Sequence, residues 1–148
     1  MFYSDINEKV YKMGRILAID FGEKRTGIAV TDELQIIASG LTTVATTTLL
    51  SFLKEYIAKE NVELIVVGQP KRLNNDFSDV EQVILTYIEK LKAAFPELPI
   101  ERVDERFTSK IAFQSMIDSG VKKKQRRSKE LLDEVSATVI LQSYLYNK

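Results

Sequence analysis

The sequence predicts an α/β fold, in which a mixed five-stranded sheet carries helices on both faces. Three observations lead to this prediction. Three short apolar runs separated by turns come first and indicate a three-strand antiparallel meander. Strand-like and helix-like segments then alternate, which favours parallel strands joined by helices. The run ELIVVG at Glu63–Gly68 is almost continuously apolar, as expected of a strand that is covered on both faces.

The meander begins in Arg15–Val30, RILAIDFGEKRTGIAV, where two apolar runs flank a polar turn. β-Branched residues and flanking turn residues favour strands over a helix in this stretch. The segment Gln35–Val44, QIIASGLTTV, predicts the third strand. Its apolar positions are Ile36, Ile37, Leu41 and Val44.

Helical spacing and capping residues define the remaining elements. A first helix is predicted from Thr46 or Thr47 to about Glu60, and the Glu63–Gly68 strand follows it. The later elements are a helix from Asp76 or Ser78 to about Phe95, a strand at Ile100–Asp104, a helix from Thr108 or Ser109 to Ser119 and a helix at Lys129–Tyr146. The second helix is predicted to turn Val80, Val83, Ile84, Tyr87, Ile88 and Leu91 inward.

The length of 148 residues suits one domain with a substantial core. Residues 1–12 are expected to be an N-terminal extension, and residues 13–148 a single domain. The extension has no apolar stretch typical of a signal peptide, and no run in the chain approaches the ~20 apolar residues that span a bilayer. We therefore expect a cytoplasmic protein without a membrane partner.

Composition excludes several kinds of catalysis. The chain has neither cysteine nor histidine, so it cannot use disulfides, thiolate nucleophiles, Ser–His pairs or zinc sites built from these residues. Its 21 basic and 21 acidic residues give a net charge of zero, unlike a wholly basic nucleic-acid binder. Carboxylates, lysines and bound hard cations are the tools that remain.

Carboxylates cluster at predicted strand ends. Asp20 ends the first strand, and Asp104 and Glu105 end the last one. Because chemistry in open α/β sheets gathers at the carboxyl ends of strands, these residues are expected at one edge. Asp133 leads an i, i+4, i+7, i+11 stripe with Ala137 on the last helix, which predicts that it points to the same edge. Converging carboxylates repel one another, and one or two Mg²⁺ or Mn²⁺ ions would relieve the repulsion.

Each of these residues also has a plainer interpretation. Asp20 could accept a backbone hydrogen bond in a turn, and Glu105 could pair with Arg102 or Arg106 at the surface. Asp133 could be a solvent-facing acid favoured by the helix dipole. The joint occurrence of all of them at one sheet edge favours the metal site.

Phosphate contacts are predicted at two places. Gly22 lets a phosphate approach the backbone, and the forked guanidinium of Arg25 could pair with it. The second place is the basic segment Lys122–Lys129, which contains no acidic residue and is predicted to bind phosphates. It could instead be a solvated loop. The predicted contacts outside the first turn are Lys71, Arg72, Arg106, Lys122, Lys123, Lys124, Arg126, Arg127 and Lys129.

Four segments, taken together, resemble one known family. They are Ala18–Asp32 (AIDFGEKRTGIAVTD), Ile65–Pro70 (IVVGQP), Val103–Ser109 (VDERFTS) and Leu132–Leu145 (LDEVSATVILQSYL). Their order and spacing resemble the YqgF/RuvX family of RNase H-like nucleases, whose members are described as Holliday-junction resolvases and as pre-16S rRNA nucleases. The resemblance covers nearly everything from Met13 onward.

The resemblance implies an RNase H-like fold and a catalytic, metal-binding triad of Asp20, Glu105 and Asp133, with Asp104 as a further candidate ligand. It implies a metal-dependent endonuclease that acts on structured nucleic acid, foremost pre-16S rRNA at the ribosomal small subunit. One alternative is a Holliday-junction resolvase, which would need a dimer; the expected state is a monomer or a weak homodimer. Further alternatives are a nucleotide-binding protein related to actin and hexokinase, and a non-catalytic ribosome-assembly factor.

Overall fold

The computed structural model describes residues 14–70, 80–105 and 129–147, with side chains from residue 134 onward in the last segment. Five strands form one sheet in the order β3-β2-β1-β4-β5. The elements are β1 (Arg15–Asp20), β2 (Arg25–Thr31), β3 (Ala38–Ala45), a 3₁₀ turn (Thr46–Thr48), α1 (Leu49–Lys59), β4 (Val62–Gln69), α2 (Glu81–Ala94), β5 (Ile100–Asp104) and α3 (Lys129–Tyr146). The mixed sheet predicted from the sequence is confirmed.

Strand direction places the ends of three strands together. β1, β2 and β3 form the antiparallel meander, whereas β4 runs parallel to β1 and β5 runs parallel to β4. Ile19 lies level with Val67, and Gly68 lies level with Val103. The last residues of β1, β4 and β5 therefore share one edge of the sheet, which we call the carboxyl edge.

Two apolar layers cover the two faces of the sheet. Leu17 and Ile19 of β1 pack with α1 and α2, whereas Ile16 and Ala18 pack with α3. This division follows from the alternation of side chains along a strand. It also explains the continuously apolar sequence of β4, because Ile65 and Val67 belong to the first layer and Val66 to the second. The sheet has helices on both faces, as predicted.

Helix α3 packs on the second apolar layer. Near its start, Glu134 and Thr138 lie beside Gly40 of the edge strand β3. Its end lines a groove of about 400 Å³ with Ile37 and Ala38, at the opposite edge from the ends of β1 and β4. The same end of α3 also lines a groove with Val103 and Asp104 of β5.

The third strand begins later than the sequence predicted. Ile36 and Ile37 lie outside β3 and are 67% and 64% exposed, so the prediction that they supply apolar strand positions is wrong. The reason is a turn built by Asp32, whose carboxylate accepts hydrogen bonds from the backbone N–H groups of Ile36 and Ile37, both at 2.8 Å. Gln35 takes a positive φ of 59° in this turn.

Other differences are smaller. Val83 is 44% exposed, so its predicted inward position on α2 is wrong. Thr46 begins a 3₁₀ turn, and α1 itself starts at Leu49. The predicted start of α2 before Val80 and the predicted helix ending at Ser119 lie outside the described residues. Within the described parts of the chain, no helix is long and apolar enough to cross a membrane.

Candidate active site

Asp20 lies at the carboxyl edge on the α3 side of the sheet. It is the last residue of β1, two positions beyond Ala18, which packs against α3. In the antiparallel ladder it lies opposite Gly27 of β2. Strand alternation thus assigns its half-buried side chain to the α3 face of the sheet.

Glu105 occupies the space above Gly68. A Cβ atom added at Gly68 would collide with Oε2 of Glu105, would lie 3.2 Å from its Cδ atom and would lie 2.8 Å from Cδ1 of Ile140. Gly68 is level with Asp20, because the preceding pair is Ile19 and Val67. The Glu105 carboxyl group therefore reaches from the end of β5 over β4, on the face that Asp20 shares.

The backbone of Glu105 is fixed by β4. Its N–H group donates a hydrogen bond of 3.1 Å to the carbonyl oxygen of Gln69. This bond continues the β4–β5 ladder by one residue beyond the Gln69–Asp104 pair. The position of the carboxyl group is therefore a consequence of strand register.

Burial raises the pKa of Glu105 from 4.5 to about 7. The nearby guanidinium of Arg102 lowers this pKa, while the negative charges of Glu81 and Asp104 raise it further. A divalent cation beside the carboxylate would favour its ionised form. This donor set, made of carboxylate oxygens on one face, suits a hard cation such as Mg²⁺.

Asp104 occupies a different position from Glu105. Val103 packs on the α3 side, so strand alternation assigns Asp104 to the other face, together with Arg102. Asp104 is near enough to raise the pKa of Glu105. Of the two acids at the end of β5, Glu105 is the one whose carboxyl group lies over β4, on the face of Asp20.

Arg102 forms a forked ion pair with Glu81. Two nitrogens of the Arg102 guanidinium donate to the two Glu81 oxygens at 2.9 and 2.7 Å. Glu81 is only 5% exposed and also accepts a 3.2 Å hydrogen bond from the side-chain amide of Gln69. The sequence analysis missed Glu81 because an acid in the first turn of a helix is usually a solvent-facing residue.

Gly22 has a structural role in the β1–β2 turn. A Cβ atom at this position would collide with the backbone carbonyl oxygen of Arg25. The carbonyl oxygen of Gly22 accepts a 2.5 Å hydrogen bond from the hydroxyl group of Thr46. Arg25 follows as the first residue of β2, opposite Ala45. The turn therefore holds Arg25 close to the end of β1.

Asp133 is the fifth residue of α3 and precedes the buried Ala137 by one helical turn. The side chains of Asp133 and Lys129 lie outside the described part of the structure. Among the side chains that are described, no three acids lie close enough together to hold a metal ion. The other predicted phosphate contacts lie outside the described residues. They are Lys71, Arg72, Arg106, Lys122, Lys123, Lys124, Arg126 and Arg127.

Comparison with known proteins finds relatives over most of this chain. The model of the RuvX family, described as Holliday junction resolvase, matches residues 14–147. A protein of Flavobacterium psychrophilum named "Putative pre-16S rRNA nuclease" is 60% identical over 136 residues, which are 92% of this chain and 99% of that protein. A protein of the same name from Bacteroides thetaiotaomicron is 57% identical over 136 residues, again 92% of this chain and 99% of the relative.

Solved structures show the same fold. RuvC of Thermus thermophilus in complex with a Holliday junction substrate has a TM-score of 0.56 and 15% identity, and the match covers 90% of this chain and 94% of that one. A second Thermus thermophilus RuvC structure has a TM-score of 0.54 and 16% identity, with 90% and 95% covered. The likeness confirms the RNase H-like fold.

Proposed function

The chain belongs to the RuvX family of nucleases, and we propose that it cuts pre-16S rRNA with Asp20, Glu105 and Asp133 as its metal-binding carboxylates. High identity over nearly the whole length of relatives named for this activity supports the substrate. Such a substrate implies action in the cytoplasm, close to the assembling small ribosomal subunit. Residues 13–148 would form the single nuclease domain, with residues 1–12 as an extension.

The observation that carries the proposal is the Glu105 carboxyl group above Gly68. Two half-buried acids, Asp20 at the end of β1 and Glu105 directly after β5, share one face and one edge of the sheet. Burial without a cation is unfavourable for the ionised Glu105, as its raised pKa indicates. These residues fit one or two Mg²⁺ or Mn²⁺ ions, and Asp133 would complete the set from the start of α3.

Each group of residues then has a distinct task. Asp20, Glu105 and Asp133 would hold the divalent cations, which supply water activation and stabilisation of the leaving oxygen. Arg25 and the backbone at Gly22 would orient the scissile phosphate. Lys71, Arg72, Arg106 and the basic segment from Lys122 to Lys129 would bind flanking phosphates and so position the substrate without reading its sequence.

The lack of histidine limits how protons can move. No side chain of this protein has an ordinary pKa close to 7. Side-chain general base catalysis at neutral pH would therefore depend on a carboxyl group with a raised pKa, such as Glu105. We expect the carboxylates to act mainly by holding cations, and the cations to activate the attacking water. Once the carboxylates are ionised, activity should therefore rise with pH, because deprotonated water is the better nucleophile.

Resolution of DNA junctions is the second candidate, favoured by the description of the family. It requires two active sites on opposite arms and hence a dimer. The same catalytic residues would serve both reactions. The two candidates therefore differ in substrate and in oligomeric state, not in chemistry.

One cleavage experiment separates these candidates. The purified protein is incubated with a pre-16S rRNA fragment or a four-way DNA junction, in Mg²⁺, Mn²⁺, Ca²⁺ or EDTA. We expect RNA cleavage with Mg²⁺ or Mn²⁺, little turnover with the larger Ca²⁺ and none in EDTA. The Asp20→Asn and Asp133→Asn variants control for contaminating nucleases. Wild-type cleavage that persists in EDTA would overturn the metal mechanism, and preferential cutting of the junction would favour the resolvase.

A further inference from the structure

We propose that the Arg102–Glu81 ion pair is the positioning device of the active site, which fixes the end of β4 beneath the Glu105 carboxyl group. This inference rests on the proposed metal-dependent nuclease function. It assigns Arg102 and Glu81 no direct contact with substrate or cation. Their task is to hold the surface over which Glu105 lies.

The contacts of Arg102 join three elements. Its Nε atom donates to the carbonyl oxygen of Val67 at 3.1 Å, and a terminal nitrogen donates to the carbonyl oxygen of Gly68 at 3.0 Å. The same guanidinium binds both oxygens of Glu81, the first residue of α2. One side chain of β5 thus joins the last residues of the β4 backbone to the start of α2.

Gly68 is the residue that links this network to the active site. The Glu105 carboxyl group lies over it, close to where a Cβ atom would stand. Its carbonyl oxygen accepts a hydrogen bond from Arg102. A shift of the β4 backbone at Gly68 would therefore move the surface that supports Glu105 relative to Asp20 in the adjacent strand.

Gln69 gives the network a second attachment. Its side-chain amide binds Glu81, while its carbonyl oxygen accepts the N–H bond of Glu105. Glu81 is thereby connected to Glu105 through a single residue. The forked geometry of arginine is what permits simultaneous binding to a carboxylate and to two carbonyl groups, and lysine cannot reproduce it.

The energetics favour a positioning role over a purely stabilising one. A buried ion pair is often no more stable than well-packed apolar residues of similar volume, because both charges must be desolvated. Its value lies in orientation, since the four hydrogen bonds that Arg102 donates to four different oxygen atoms form together in only one arrangement. The positive charge of Arg102 also acts favourably on an ionised Glu105.

Two variants test the proposal. Arg102→Lys keeps the positive charge and removes the fork, while Glu81→Gln keeps the shape and removes the negative charge. A matched control is Glu60→Gln, which breaks the Arg15–Glu60 pair of 3.4 Å at the opposite edge of the sheet. Circular dichroism and the melting temperature establish folding for all three.

Two measurements separate positioning from structure. Calorimetric titration with Mn²⁺ alone reports the assembled carboxylates without any substrate, and steady-state cleavage of the RNA fragment gives kcat and KM. We expect Arg102→Lys to weaken Mn²⁺ binding by about 10- to 100-fold, the range seen when partners of metal ligands are removed. Its kcat should fall, its KM for RNA should stay unchanged, and Glu60→Gln should match the wild type in both assays.

The outcomes distinguish this inference from the function on which it rests. Wild-type protein that neither binds Mn²⁺ nor cleaves RNA would overturn both. Wild-type protein that does so, with folded Arg102→Lys and Glu81→Gln variants that bind Mn²⁺ equally well and keep kcat, would overturn the positioning role alone. If Arg102→Lys does not fold, the isosteric Glu81→Gln variant decides in the same way.

Discussion

Replacement of Glu105 by Gln should stabilise the protein when no divalent cation is bound. The pKa of Glu105 is raised from 4.5 to about 7, chiefly by burial. Each pKa unit corresponds to about 1.4 kcal/mol, so ionisation of this carboxyl group opposes folding by about 3 kcal/mol. Gln has nearly the same shape and carries no charge, so it removes this cost.

The sign of the effect depends on pH. Below pH 4.5 the carboxyl group is protonated in both the folded and the unfolded state, so wild type and variant should be equally stable. Between pH 4.5 and 7 the unfolded state ionises first, and the variant should gain its advantage progressively. Above pH 7 the full difference of about 3 kcal/mol is present, equivalent to a melting temperature ~6–12 °C higher.

Urea unfolding and thermal melting in EDTA at pH 4 and pH 8 measure this difference. The exposed Glu97→Gln variant is the control, and it should show no such pH-dependent gain. Addition of Mg²⁺ should raise the melting temperature of the wild type more than that of Glu105→Gln, because the cation binds only the folded site. Equal stability of the two proteins at pH 8 in EDTA would refute the argument that Glu105 is a buried, unfavourably ionised group.

Three further predictions concern other parts of the chain. Gly68→Ala should abolish cleavage and destabilise the fold by about 1–3 kcal/mol, because the new methyl group would collide with Glu105 and Ile140. Cleavage assays and urea unfolding measure the two effects. A fully active variant would contradict the site geometry. Asp32→Asn should lower the melting temperature without changing cleavage, because backbone hydrogen bonds hold the pKa of Asp32 below 3.8. The stability that these bonds provide is present above that pH and is lost as the pH falls through the lowered pKa. Equal acid sensitivity of the variant and the wild type would contradict this prediction. Replacement of Lys122, Lys123 and Lys124 by Ala should flatten the salt dependence of RNA binding by ~0.7–0.9 per lost phosphate contact, measured by fluorescence anisotropy, and an unchanged slope would indicate a solvated loop.

The elements of the sheet were predictable because their signals are local. Short apolar runs with β-branched residues and flanking turn residues mark β1 and β2, and the longer apolar run marks β4. The error at Ile36 and Ile37 also has a local cause. Asp32 satisfies the backbone N–H groups of both residues, so their apolar side chains remain exposed although their sequence pattern suits a strand.

The interior of the site could not be predicted in the same way. The placement of Glu105 over Gly68 depends on the register of β4 against β5, which no local pattern encodes. The Arg102–Glu81 pair joins residues 21 positions apart, and either charge alone is compatible with a solvated surface. The sequence located the strand ends that carry the acids, whereas the network that holds them follows from tertiary packing.

The arrangement explains why a glycine lies at the end of β4. Any side chain at this position would fill the space that Glu105 occupies and would press against Ile140 of α3. The missing side chain therefore creates room for a buried carboxyl group between the sheet and the helix. On the other side of the same residue, Arg102 binds its carbonyl oxygen and so limits the backbone freedom that glycine introduces. A site that combines a glycine, a desolvated acid and an ion pair should be less stable than an apolar strand end. A cation bound at the proposed site would offset that loss, because it would bind only the folded protein.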